Sequence, residues 1–122
     1  MDAALTPKQK RAPGAPRAVS PARPSLDVAQ STRLAAYAKA LGDPIRIRLV
    51  DVLARHPGEL CACELLPLFD VAQSTLSHHL KVLADAGIVE TRRQGLFAYY
   101  LVQPDALSAL DGWLQRSAGA ES

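Results

Sequence analysis

A mostly α fold with one small β-hairpin (α+β) is predicted by three observations. Apolar residues recur at three- and four-residue spacing through most of residues 25–118. Helix start and stop signals punctuate that pattern at Asp43-Pro44, His56-Pro57-Gly58, Gly87 and Pro104. Two short β-type runs meet across Gln94-Gly95, a hairpin signal.

The elements follow in chain order. Residues 1–24 hold five of the nine prolines and almost no large apolar side chain, a composition that cannot bury a core and reads as a disordered basic arm. There Lys8, Lys10, Arg11, Arg17 and Arg23 face only Asp2, a local charge of +4; the whole chain carries +2, so the remainder carries −2. Two readings of the arm stand: a solvated tail, or an arm adding non-specific attraction to phosphate. The folding unit is residues 25–118, with 119–122 as a flexible tail. Its first helix carries Leu34, Tyr37, Ala38 and Leu41 and stops at Gly42. Asp43 as N-cap and Pro44 at the first helical position start the second, whose stripe is Ile45, Leu49, Val52 and Leu53. A short third helix is expected over residues 62–68, a tight connection over 69–72, and a fourth helix over 72–86 stopped by Gly87. The strands are residues 88–93 and 97–102. Pro104 opens a last helix carrying Leu107, Leu110, Trp113 and Leu114.

A short helix, a tight turn, a longer helix and a hairpin, in that order, make a winged helix-turn-helix. A folding unit of this size is short of buried surface by itself. Leu34, Tyr37 and Leu41 on the first helix and Leu107, Leu110, Trp113 and Leu114 on the last are therefore expected to build a two-fold homodimer. The alternative is that these faces pack inside one protomer.

On the fourth helix, at about 100° per residue, Leu76, Leu80 and Leu83 share one face. His79 lies beside them and reads as a core histidine with a satisfied hydrogen bond rather than a metal ligand. Ser74, Ser77, His78 and Lys81 share the opposite face, which carries no acid before Asp85. Hydroxyls and a lysine in that pattern suit phosphates and base edges. Gln73 and Thr75 sit at the helix start, the end this motif points into the major groove. Arg92 and Arg93 point to opposite sides of a strand, bringing one or both to a phosphate or the minor groove. Double-stranded DNA is the partner implied; the competing class is a protein-interaction module docking through the same face.

No run of 18 apolar residues exists and the N-terminus has no apolar signal core, so neither a membrane partner nor secretion is expected. That places the chain in the cytoplasm, where Cys61 and Cys63 are expected as reduced thiols rather than a structural disulfide. Mid-helix, residues two apart point about 200° from one another. At a helix start Cys61 can leave helical geometry and converge with Cys63. Two soft sulfurs suit As(III), Sb(III), Cd(II) or Pb(II), not the hard ions that prefer oxygen. Structural zinc usually needs four ligands, which one protomer does not offer here. The plain alternative is two small buried hydrophobes. No nucleophile motif or Gly-rich phosphate loop is present, so neither an enzyme nor a catalytic cofactor is expected.

The segment Glu59-Leu60-Cys61-Ala62-Cys63-Glu64-Leu65, the helix Gln73-Ser74-Thr75-Leu76-Ser77-His78-His79-Leu80-Lys81-Val82-Leu83, and Gly87-Ile88-Val89 with Arg92-Arg93-Gln94-Gly95 and Tyr99-Tyr100 resemble the ArsR/SmtB repressors. The resemblance covers about residues 31–116. It implies a homodimeric winged helix-turn-helix repressor that binds an inverted-repeat operator and releases it on binding metal or metalloid. Cys61 and Cys63 look like the arsenic-responsive branch. A third cysteine frequent in that branch is Leu66 here, and Ala72 stands where a serine is frequent at the start of the reading helix. The last helix carries Asp105 and Asp111 but no histidine, so the zinc site of some relatives is not carried over. The inducer implied is a trivalent arsenical, either arsenite or methylarsenite, of which the second needs only two sulfurs; antimonite is the related Sb(III) candidate. A cadmium/lead or thiol-redox sensor on the same fold is the alternative.

Overall fold

Reciprocal capping starts the first helix. In the computed structural model, which describes residues 21–119, Asp27 Oδ1 accepts from the Gln30 N–H at 2.7 Å and the Asp27 N–H donates to the Gln30 side chain at 2.8 Å. Helix α1 (Val28–Ala40) follows. Asp43 then accepts from the N–H groups of Ile45 and Arg46 at 2.9 and 3.2 Å, and Pro44 occupies the first turn of α2 (Pro44–Arg55) as its fixed φ favours. The expected basic arm lies outside the described residues for 1–20, and the expected tail for 120–122. Residues 21–24 are exposed and lack regular structure.

The third helix splits. Strand β1 (Leu60–Cys61) leads into α3 (Ala62–Leu65), and Leu66–Leu68 tighten into a 3₁₀ turn. Pro67 has no N–H to continue the α-helical ladder. Helix α4 (Gln73–Asp85) ends at Gly87, whose φ of +86° only glycine adopts readily. Strands β2 (Val89–Gln94) and β3 (Phe97–Val102) form the hairpin, with Gly95 at φ +62° in its turn. Helix α5 (Pro104–Ser117) closes the described fold.

β1 was not anticipated, since two residues cannot display alternation. It makes the hairpin into a three-stranded antiparallel sheet of order β1-β3-β2. Leu60 pairs with Tyr100 and Cys61 with Tyr99; across β3, Thr91 faces Tyr100 and Arg92 faces Tyr99.

The core lies where α2, α3, α4 and the sheet meet. Leu49, Leu65, Leu76, Leu80, Leu83 and Ile88 are fully buried there. The predicted winged helix-turn-helix is thus present as α3, turn, α4 and hairpin. Tyr37, Leu41 and Leu107 pack in part against this core within their own protomer. Leu34, Leu110 and Trp113 instead line a groove of about 240 Å³ between α1 and α5, and Leu114 is half exposed. Among the described residues no helix is long and apolar enough to cross a membrane.

Candidate nucleic-acid interface and thiol site

The two faces of α4 separate as the 3.6-residue period requires. Leu76, Leu80 and Leu83 are at most 1% exposed, whereas Gln73, Ser74, Thr75, Ser77, His78 and Lys81 are all solvent-facing. Ala72 at the N-cap offers no side-chain cap, so the α4 N-terminus leaves backbone N–H groups available beside Gln73, Ser74 and Thr75. Lys81 forms an exposed pair with Asp85 at 3.2 Å, four residues on.

His79 anchors the buried side of α4. Its Nδ1 accepts from Arg46 Nη1 at 2.9 Å and lies 3.9 Å from Asp43 Oδ2, while Arg46 Nε donates to the Ala40 carbonyl at 2.6 Å. A chain of polar contacts therefore ties the cap of α2 to α4. Burial pushes the Asp43 carboxyl up, but the N–H bonds from Arg46 and Ile45, with His79 and Arg46 alongside, leave it below its ordinary value. The sequence reading of His79 as a hydrogen-bonded core residue matches this geometry. Arg46 and Asp43 as its partners were missed; 33 residues separate Arg46 from His79, and no local signal spans that distance.

The two wing arginines diverge as alternation predicts, with a difference in their engagement. Arg93 has no ion partner among the described residues. Arg92 is held by Glu59: Nε donates to Oε1 at 2.9 Å and Nη2 pairs with Oε2. The same guanidinium lies 5.8 Å from the centroid of the Tyr99 ring. Arg92, expected to be available to DNA, is thus engaged within the protein.

Cys61 belongs to two elements. It ends β1 and caps α3, with extended backbone at φ −72°, ψ 147°. Its Sγ accepts from the Cys63 N–H at 3.1 Å, and its own N–H donates to Glu64 Oε1 at 2.8 Å. The spacing of Cys61 and Glu64 matches a capping box and could have been read from sequence. An N-cap residue is free of the 200° divergence, so the sulfurs converge as anticipated. They are joined as a disulfide, with Cα atoms 5.1 Å apart. The expectation of two separate thiols is corrected on this point. Cys61 is buried and Cys63 exposed. Among the described residues, no cluster of three or more histidine, cysteine or acidic side chains is placed to hold a metal ion, so the site offers two sulfurs.

Comparison with known proteins agrees with this architecture. The family described as "Bacterial regulatory protein, arsR family" matches residues 43–91, from the cap of α2 into β2. The chain is similar to an uncharacterized HTH-type transcriptional regulator of Methanocaldococcus jannaschii, at 36% identity over 72 residues, 59% of this chain and 80% of that protein. It is similar to an arsenical resistance operon repressor of Staphylococcus xylosus, at 48% identity over 62 residues, 51% of this chain and 58% of the repressor. With several curated relatives the match spans only about three fifths of their length. Among solved structures, the homodimeric winged helix-turn-helix DNA-binding domain of a possible ArsR-family regulator from Mycobacterium bovis superposes with a TM-score of 0.61. That alignment has 26% identity and covers 82% of this chain and 91% of the other.

Proposed function

The chain belongs to the arsR family of bacterial regulatory proteins, and on that premise we propose that it is a homodimeric transcriptional repressor. It holds an inverted-repeat operator in the cytoplasm and releases it when a trivalent arsenical takes Cys61 and Cys63. One juxtaposition carries the reading: converging sulfurs stand at the start of α3, one short turn before a helix whose buried stripe and exposed polar face suit major-groove docking. Ser74, Ser77, His78 and Lys81, with Gln73 and Thr75 at the helix start, face the groove, and Arg93 reaches a phosphate from the wing. The exposed parts of Leu34, Leu110, Trp113 and Leu114 build the α1/α5 dimer contact. Relatives bearing arsenical-repressor names and the homodimeric neighbour support it.

The switch follows from packing. A ligand spanning both sulfurs fixes the start of α3, and α3 shares a buried cluster with α4 through Leu65, Leu76 and Leu80. Release requires that the ligand bind the DNA-free conformation more tightly than the bound one. Two sulfurs satisfy methylarsenite, whose third bond is to carbon; arsenite or antimonite needs a third donor from solvent or a small thiol.

The test is release of a labelled duplex, carrying an inverted repeat from upstream of the gene, by reduced protein and by Cys61→Ser and Cys63→Ser. Wild type is expected to release on adding arsenite or methylarsenite while both variants stay bound. Variants that release like wild type would sink the thiol-sensor reading. The disulfide itself favours one second reading, a thiol-redox sensor. In it, peroxide takes two electrons from the thiol pair, giving the disulfide and two waters. Release by peroxide with no arsenical present would select it.

A further inference from the structure

We propose that Glu59 is a positioning residue that draws the wing's Arg92 away from DNA, and that the state of the Cys61–Cys63 pair sets this exchange. The inference rests on the repressor reading above and names a second output of the same site.

Three observations point there. Cys61, Tyr99 and Arg92 form one row across the sheet, since Cys61 faces Tyr99 in one ladder and Arg92 faces Tyr99 in the other. Directly opposed residues of antiparallel strands share a face, so the thiol and the guanidinium lie on the same side, with the Tyr99 ring between them. Secondly, Arg92 gives Glu59 a two-pronged grip, and the Tyr99 ring stacks near it. A guanidinium fork matches carboxylate and phosphate alike. The donors that hold Glu59 are therefore those a DNA phosphate would use, and one fork cannot serve both. Thirdly, Glu59 reaches Arg92 across 33 residues only because β1 pairs with β3. β1 has two residues and ends at Cys61 itself. Whatever fixes Cys61 fixes Glu59; whatever loosens Cys61 loosens it.

With the sulfurs bridged, as here, β1 is paired and Arg92 sits on Glu59. With the sulfurs apart, β1 frays from the sheet and Arg92 turns to a phosphate. A ligand spanning both thiols thus removes a DNA contact from the wing while α3 acts on the reading helix. Arg93, on the other face and without an ion partner among the described residues, is outside this control.

The test compares reduced wild type with Glu59→Gln, Arg92→Ala and the double variant. Operator affinity is measured between 50 and 200 mM salt, with phenylarsine oxide as the dithiol-binding probe. Without the probe, wild type and Glu59→Gln are expected to bind alike, since Arg92 is already free in both; with phenylarsine oxide bound, Glu59→Gln is expected to hold the operator more tightly than wild type. In that bound state its log-log salt slope should be steeper than that of wild type by about 0.9 per protomer, the one phosphate contact that each liganded wild-type protomer gives up. It should also need more phenylarsine oxide for release. Adding Arg92→Ala should abolish the gain. By linkage, Glu59→Gln without DNA should bind phenylarsine oxide more weakly in calorimetry. A merely structural Glu59 would lower the melting temperature and weaken operator binding without steepening the slope, which overturns the proposal. So does a variant whose slope and release match wild type, and that outcome leaves the repressor reading standing. Wild type that neither binds the operator nor releases it overturns the repressor reading first, and this exchange with it.

Discussion

Lys81 and Leu80 are neighbours on α4 whose loss should be felt in different assays. The Lys81 side chain is 75% exposed and pairs with Asp85 at 3.2 Å. Exposed pairs four residues apart on a helix contribute about 0.3–0.5 kcal/mol, so Lys81→Ala should barely move the melting temperature. If Lys81 meets one phosphate per protomer, the homodimer loses two contacts, and the log-log salt slope falls by about 1.8. Over the fourfold change from 50 to 200 mM salt, the wild-type advantage should then shrink by about 12-fold. Leu80, one residue earlier, is 0% exposed. Leu80→Ala removes buried methyls and leaves a cavity, at a cost of about 2–5 kcal/mol. In a domain of this size that lowers the melting temperature by about 10 °C or more. Fluorescence anisotropy on a labelled operator at three salt concentrations, beside thermal melts, reads both effects. A Lys81→Ala protein with an unchanged slope would refute the phosphate contact. One that melts as low as Leu80→Ala would refute the division of α4 into two faces.

Other outcomes follow from the same contacts. His79→Leu leaves Nη1 of the half-buried Arg46 without its acceptor, while Nε keeps the Ala40 carbonyl, and should cost about 1–3 kcal/mol; His79→Gln, which retains an acceptor, should cost less, and urea melts distinguish them. The Asp43 carboxyl titrates below its ordinary 3.8 in the folded chain. Its contribution is therefore present above about pH 4 and lost as pH falls through the folded value. Melts from pH 6 to 3 should show a steeper acid loss for wild type than for Asp43→Asn; equal slopes would remove Asp43 from the account. Trp113→Glu places a charge in the α1/α5 groove and should convert dimer to monomer in sedimentation velocity, and an unchanged dimer would move the interface elsewhere.

The helices and the hairpin were legible because each is announced locally. Asp43-Pro44 and Gly87 punctuate the chain, and the Leu76, Leu80, Leu83 spacing shows which side of α4 is buried. That His79 would be a satisfied core residue followed from its place beside that stripe. What stayed hidden is what depends on partners distant in sequence. Two residues cannot advertise a strand, so β1 is visible only once β3 lies beside it. Arg92 reads as a free wing cation until the sheet brings Glu59 to it from 33 residues away. The sulfur pair falls between these cases. Convergence was readable from the helix start, whereas the bond between the sulfurs was set against by an argument from cell compartment, which says nothing about geometry.

The exposure of the Glu59–Arg92 pair limits how much of the switch it can carry. The two side chains are 26% and 51% exposed, which puts the pair near the surface class, at about 1 kcal/mol or less. Two protomers then supply about 2 kcal/mol, roughly 30-fold in operator affinity. Taking a repressor from 99% bound to 99% free needs about 5.5 kcal/mol. The larger part must pass through α3 into the reading helix. The path is at hand: Leu65 on α3 and Leu76 and Leu80 on α4 lie in one cluster, each at most 1% exposed. Interiors packed that closely have little slack to absorb a displacement, so moving the start of α3 moves α4. Loss of Glu59 should therefore reduce arsenical release without abolishing it. A Glu59→Gln protein that never released its operator would mean that the wing, not the helix in the groove, is where the thiol site acts.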